Sequence, residues 1–211
     1  MVKSELLTHF GVNHGFFGVE LTKGVHNIFD SCHEIGDFSK KIGVNRTIFL
    51  NQVHSNKISH LNSLKKSDGI IIQKPNIAIA LKTADCVPLL FYDNVTKTIG
   101  AIHAGARGVY RKVVEAGIEE FLKFKPKNLY AVIGPSIAKE SYEIQNDFMH
   151  LFPKKYFENV NGKYRFDLKT IIKEKIMKFK KNIMTIEIED LQIDTVKDTR
   201  FRVYNCENEY L

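Results

Sequence analysis

Two histidines and a cysteine carry the chemistry this sequence offers: His54 in "NQVHS", Cys86 in "TADCVPLLFYD" and His103 in "AIHAGARG". Two imidazoles and a thiolate form a borderline-soft ligand set suited to Zn²⁺, and three protein ligands leave a fourth tetrahedral position for water or substrate. The separations, 32 positions from 54 to 86 and 17 from 86 to 103, match neither a helical zinc motif nor a zinc-finger spacing. The same atoms admit a second chemistry, with Cys86 as nucleophile, His103 as its base, and Asp85 orienting the histidine or tuning its charge. Residue type alone favours something plainer: a buried, inert thiol at Cys86 and hydrogen-bonded interior or turn histidines at 54 and 103. All of these readings stay open at this level.

"AGARG" adds Arg107 next to glycines, Gly105 among them, just ahead of a helical pattern. Glycine permits close backbone approach and a guanidinium fork binds phosphate or carboxylate bidentately, although the spacing fits neither a Walker loop nor a dinucleotide fingerprint. An arginine that pairs with a carboxylate explains the residue about as well. "IGPSI" (133–137) is a further strand-to-turn stretch that could shape a pocket wall.

Such residues form a site only if the elements around them deliver them to one place. Runs rich in β-branched and large apolar residues predict strands at 47–52, 69–73, 77–82, 87–93, 98–103, 129–134 and 184–190. His54, Cys86 and His103 each lie at or just beyond the end of a strand, where a rigid sheet holds loop residues open to a pocket. Helical periodicity predicts one continuous helix over 109–124, with Val113, Val114, Gly117, Ile118, Phe121 and Leu122 on its buried face. A second is expected over 167–181 with Asp167 as N-cap, and a third, shorter one in "QNDFMHLFP" before Pro153. Sequential strands with few intervening helices point to an α/β layered sandwich, a mixed β-sheet with outer helices, in preference to a regular doubly wound fold. No repeat or linker divides residues 1–211, so one domain is expected.

Composition narrows the partners. The net charge of +7 would suit an anionic partner, but 25 of the 31 basic residues are lysine, scattered along exposed helix faces without an arginine and aromatic array. A solvated lysine-rich surface is expected, with nucleic acid disfavoured and a small anionic substrate compatible. Cys32, Cys86 and Cys206 are odd in number and widely spaced, which argues against a disulfide framework and for a reducing, cytoplasmic setting. No signal peptide or membrane span is read from the sequence. Oligomeric state is not legible.

The order of "HGFF" (14–17), "NQVHS" (51–55), "SDGII" (67–71), "TADCVPLLFYD" (83–93), "AIHAGARG" (101–108), "IGPSI" and "YRFDL" (164–168) resembles the YfiH-like family. These are the laccase-domain or polyphenol oxidase proteins, regarded as purine nucleoside phosphorylases with adenosine deaminase activity. The resemblance implies a layered α/β fold shared with cysteine-dependent deamidase toxins, and a zinc held by His54, Cys86 and His103. It also implies Cys86, Arg107 and Asp85 as catalytic residues, Arg107, Gly105 and His14 as substrate-binding ones, and a purine nucleoside and phosphate as substrates. Copper ranks below zinc, because the chain lacks the cluster of histidines and cysteines that a multicopper centre needs. Three departures stand out. Ala106 replaces the family's tryptophan in HAGWRG, Ser141 and Asp194 replace two family cysteines, and "GVHNIFDSCHEIGD" (24–37) only loosely matches. They leave a cysteine hydrolase built on Cys86 and His103, and a degenerate binding module, as alternatives to the phosphorylase.

Overall fold

The computed structural model describes residues 1–18, 39 and 43–201. Its apolar runs become strands β1 (Arg46–Phe49), β2 (Ile58–Ser59), β3 (Gly69–Ile72), β4 (Ile77–Ala80), β5 (Val87–Tyr92), β6 (Ile99–Ala104) and β7 (Asn128–Ile133). They are followed by β8 (Glu143–Ile144), β9 (Phe157–Val160), β10 (Lys163–Phe166) and β11 (Thr185–Asp190). A six-stranded sheet runs in the order β11-β7-β5-β6-β3-β2. Its four central strands are antiparallel, and β11 and β2 add to its edges in parallel.

Period-two alternation decides what each face meets. Leu89 and Phe91 of β5, with Leu129, Ala131 and Ile133 of β7, enter the main core beneath the helices. Their neighbours Leu90, Tyr92, Tyr130 and Val132 turn to the opposite face and pack with Leu7 and Phe16 of the N-terminal segment. On that same alternation Ile70 and Ile72 of β3 leave the main core and join Ile48 and Leu50, beside the parallel β1/β4 pair. The result is the layered sandwich of mixed sheet and outer helices that the strand pattern predicts.

The helices are shorter than their patterns. α1 (Glu5–His9) is capped by Ser4, and Glu189 on β11 accepts from the amides of Glu5 and Leu6 and from the Ser4 hydroxyl, tying the segment to the sheet. The helix expected over 109–124 is two: α2 (Ala106–Tyr110) and α3 (Val113–Leu122), separated where Lys112 adopts a left-handed φ of 70°. Periodicity cannot see this break, because Val109 and Val113 stand four positions apart and both are fully buried. Gly117 lets α3 press against β6, since a Cβ there would lie 2.0 Å from Ile102 Cδ1. α4 (Leu168–Met177) begins as predicted, with Asp167 accepting from the Thr170 amide and hydroxyl, but it ends ahead of the lysines at 178, 180 and 181. The segment before Pro153 is a 3₁₀ turn over Asn146–Leu151. Unanticipated is the small antiparallel sheet β8-β10-β9, whose hairpin turns through Asn161 and Gly162, both at positive φ. Among the described residues no helix is long and apolar enough to cross a membrane.

Candidate metal centre

Strand register assembles the candidate residues. Val87 pairs with Ala104 and Gly69 with Ile102, so the start of β5, the end of β6 and the start of β3 meet at one edge of the sheet. Cys86 immediately precedes β5, His103 is the penultimate residue of β6, and Asp68 immediately precedes β3. His54 arrives on the loop before β2, which pairs in parallel with β3 from Ile58 and Gly69 onward. One ligand atom from each of His54, Cys86 and His103 lies within 4.8 Å of the other two. Cys86 Sγ is 3.7 Å from His54 Nε2, and the two imidazole rings meet edge to face with centroids 4.8 Å apart. The trio grades from exposed His54 through half-buried Cys86 to buried His103, so it opens to solvent on the His54 side.

Gly105 closes the floor of this cluster. A Cβ on it would stand 2.5 Å from Cys86 Sγ and 3.2 Å from His54 Cδ2, so any larger residue displaces the thiol. The glycine is needed for space and not for conformation, since its φ is an ordinary −73°.

Asp68, quoted in "SDGII" but given no role by the sequence, is fully buried and accepts from His103 Nδ1 at 2.9 Å. It also accepts from the backbone amides of Val53, His54 and Ser55 and from the Ser55 hydroxyl. Burial pushes its carboxyl up, but the hydrogen bonds from His103 and Ser55 outweigh burial and hold it down at about 2. Asp68 is therefore an anion at neutral pH. His54 is held below its ordinary value by burial first and then by His103, with Asp68 opposing and the Arg107 and Arg111 guanidiniums adding to the depression. Its imidazole is thereby kept in the neutral form that metal ligation requires. The donor types, their spacing and the neutral imidazole all fit a zinc ion; a multicopper centre needs more His and Cys than the single trio found among the described residues.

The other expected site residues fare differently. Arg107 is an exposed residue of α2, and Arg111, absent from the expected set, donates from Nη1 to the His54 carbonyl at 3.0 Å. Asp85, expected to orient a histidine, accepts from the Thr195 hydroxyl at 2.9 Å, and its carbonyl accepts from the Ile137 amide. The carboxylate on the histidine is Asp68, delivered by the β3–β6 pairing that no local pattern reveals. His14 has its ring bracketed by the N-terminal backbone, Nε2 accepting from the Ser4 amide and Nδ1 donating to the Val12 carbonyl, each at 2.8 Å. Ala106, which stands where the family has tryptophan, is 8% exposed and packs into the main core. The departures at 141 and 194 are one linked change, the Ser141 hydroxyl donating to the Asp194 carboxylate at 2.6 Å. Cys32, Cys206 and the 24–37 stretch lie outside the described residues.

Residues 33–208 match the family described as multi-copper polyphenol oxidoreductase laccase. The chain is 30% identical over 193 residues, 82% of its own length and 80% of the relative's, to a protein of Rickettsia prowazekii named purine nucleoside phosphorylase. Among solved structures, its fold resembles a Neisseria meningitidis protein assigned to DUF152, with a TM-score of 0.70 at 22% identity over 92% of this chain and 83% of that one. It also resembles the Bacillus licheniformis hypothetical protein YfiH, with a TM-score of 0.65 at 25% identity over 74% of this chain and 67% of that one.

Proposed function

The chain belongs to the laccase-domain family of YfiH and DUF152 proteins, and from that premise we propose that it is a zinc-dependent purine nucleoside phosphorylase with adenosine deamination as a side activity. The observation that carries the reading is the convergence of His54, Cys86 and His103 from three separate stretches onto one solvent-open spot. In this reading His54, Cys86 and His103 hold the metal, with His103 braced from behind by Asp68. Zinc bound there supplies Lewis-acid polarisation, on which both phosphorolysis and hydrolytic deamination can draw.

The residues around the trio supply the rest. Arg107, exposed on α2 beside the cluster, is the residue to hold the phosphate dianion, its fork matching two phosphate oxygens. Phosphate oxygen attacks the ribose anomeric carbon, the C–N glycosidic bond breaks, and the products are the free purine, which takes up a proton, and ribose 1-phosphate. Holding phosphate and nucleoside in one orientation contributes most, since effective molarity replaces a rare bimolecular encounter. Phosphorolysis ranks above deamination because the chain has no HxE sequence of the kind zinc deaminases use for proton transfer.

A second reading has its own observation. The 3.7 Å approach of Cys86 Sγ to His54 Nε2 is the spacing of a thiol and its base, so the cysteine hydrolase expected on Cys86 and His103 would instead draw its base from His54, with His103 held by Asp68.

One experiment separates the two. The purified protein is analysed for metal by mass spectrometry and incubated with adenosine and inosine, with and without phosphate. Bound zinc and phosphate-dependent release of base support the phosphorylase. Metal-free protein inactivated by iodoacetamide at Cys86 supports the hydrolase. Wild-type zinc content in both His54→Ala and Cys86→Ala sinks the metal reading.

A further inference from the structure

We propose that Asp68 is the positioning residue of the metal centre, one buried carboxylate that sets both imidazoles, His103 through its ring and His54 through its backbone. The inference rests on the zinc reading above. Asp68 Oδ1 accepts from His103 Nδ1 at 2.9 Å and from the His54 amide at 3.0 Å. Asp68 Oδ2 accepts from the Ser55 amide at 2.6 Å and its hydroxyl at 2.7 Å, and the Val53 amide reaches both oxygens at 3.2 and 3.3 Å. Three consecutive amides, 53 to 55, thus wrap one carboxylate that is 0% exposed.

Two consequences follow from this geometry. His54 holds a left-handed φ of 55°, uncommon for a non-glycine residue, and the amides at and on either side of that bend are the ones bound by Asp68. The His54 ring is thereby directed at Cys86, its Nε2 lying 3.7 Å from Sγ. For His103, donation to Asp68 places the proton on Nδ1 and leaves Nε2 as the ligand nitrogen, with the ring's rotation fixed. The main chain reinforces the pairing, since the His103 amide donates to the Asp68 carbonyl at 2.6 Å. A carboxylate with a purely structural role would hold the loop and leave the ring free to choose either nitrogen.

The test compares Asp68→Ala and Asp68→Asn with Asp93→Asn, a change at another fully buried aspartate near the opposite end of the sheet. Zinc affinity is measured on folded protein by competition with a chromogenic chelator, and the imidazole tautomers of the wild type are read from long-range proton–nitrogen NMR spectra, with and without zinc. Both Asp68 variants are expected to lose about 10- to 100-fold in zinc affinity. Asp93→Asn is expected to keep wild-type affinity whatever it loses in stability, and His103 is expected to carry its proton on Nδ1 in both states. Zinc-binding wild type with unchanged affinity in the Asp68 variants overturns this inference alone, as does ligation through His103 Nδ1. Wild type without zinc affinity overturns the metal reading and this inference together. Should both Asp68 variants fail to fold, the wild-type spectra decide.

Discussion

Asp93 and Asp68 sit near opposite ends of the six-stranded sheet, both fully buried and both ringed by donors. Asp93 follows β5 and accepts from the Thr96 amide at 2.7 Å, the Thr96 hydroxyl at 2.6 Å and the Asn128 amide at 2.9 Å. It closes the β5–β6 turn and ties it to the start of β7. Asp68 does the equivalent for residues 53–55, but one of its donors is the His103 imidazole, 35 positions away. Residue type and burial are the same at the two ends. One side-chain partner with a second nitrogen to offer is what makes one end a scaffold and the other a candidate site.

Substitutions at each end, and one remote from both, would break or sharpen that contrast. The largest effect is expected from Cys86→Ser at the site end, where bound zinc should fall from about one per chain to background by mass spectrometry, a hydroxyl being a poor substitute for a thiolate. Retention of zinc would remove Cys86 from the ligand set. At the scaffold end, Asp93→Ala leaves the half-buried amides of Thr96 and Asn128 without their acceptor and should cost about 2 kcal/mol in denaturant unfolding while leaving zinc affinity unchanged. Hydrogen bonds from Thr96 and Asn128 hold the Asp93 carboxyl below its usual range against burial, which alone would raise it. Its stabilisation is therefore complete above the unfolded-state value near ~3.9 and is lost as pH falls through the lower folded value. The gap in stability between wild type and Asp93→Asn should accordingly narrow between pH of about 5 and about 2. A gap that widened over that range would contradict the assignment.

A subtler intrusion at the site end is Gly105→Ala. Its methyl group would contact Cys86 Sγ at 2.5 Å, so an overpacking cost of roughly 1–3 kcal/mol should come with weakened zinc binding. Gly117→Ala is the control: it should cost stability against Ile102 and spare the metal. The smallest effect is expected at Lys155→Ala, which removes an exposed pair with Glu174. Melting temperature and zinc affinity should both match wild type, because solvent screens such pairs. A measurable loss would mean that this ion pair does more than its exposure allows.

Much of the scaffold was legible because the alternation that makes a strand is local. The seven predicted strands form within a residue or two of their patterns, save that β1 and β4 stop two to three residues early, and Asp167 caps α4 as read. The hairpin at Asn161 and Gly162 went unread, because its strands are short and polar and carry no alternation. The break at Lys112 was not, because the buried positions keep helical phase across it. At the site, the sequence presented the types of His54, Cys86 and His103 and nothing that joined them apart from family likeness. Asp85 and His14 were singled out from their neighbours in sequence, and the partners found for them, Thr195 for the one and Ser4 and Val12 for the other, are made by tertiary packing.

By itself, then, the sequence determined the seven longer apolar strands, the cap of α4 and the stock of ligand-type side chains, each of which depends on residues within one turn or one strand of each other. Only the tertiary structure decided which strand ends share an edge, and so that Asp68 and not Asp85 stands behind a histidine, that Gly105 leaves room for the Cys86 thiol, and that Ser141 meets Asp194. The physical reason is that these relations join residues 19 to 53 positions apart, and what brings them together is how whole strand faces bury against one another and not any one residue's preferences.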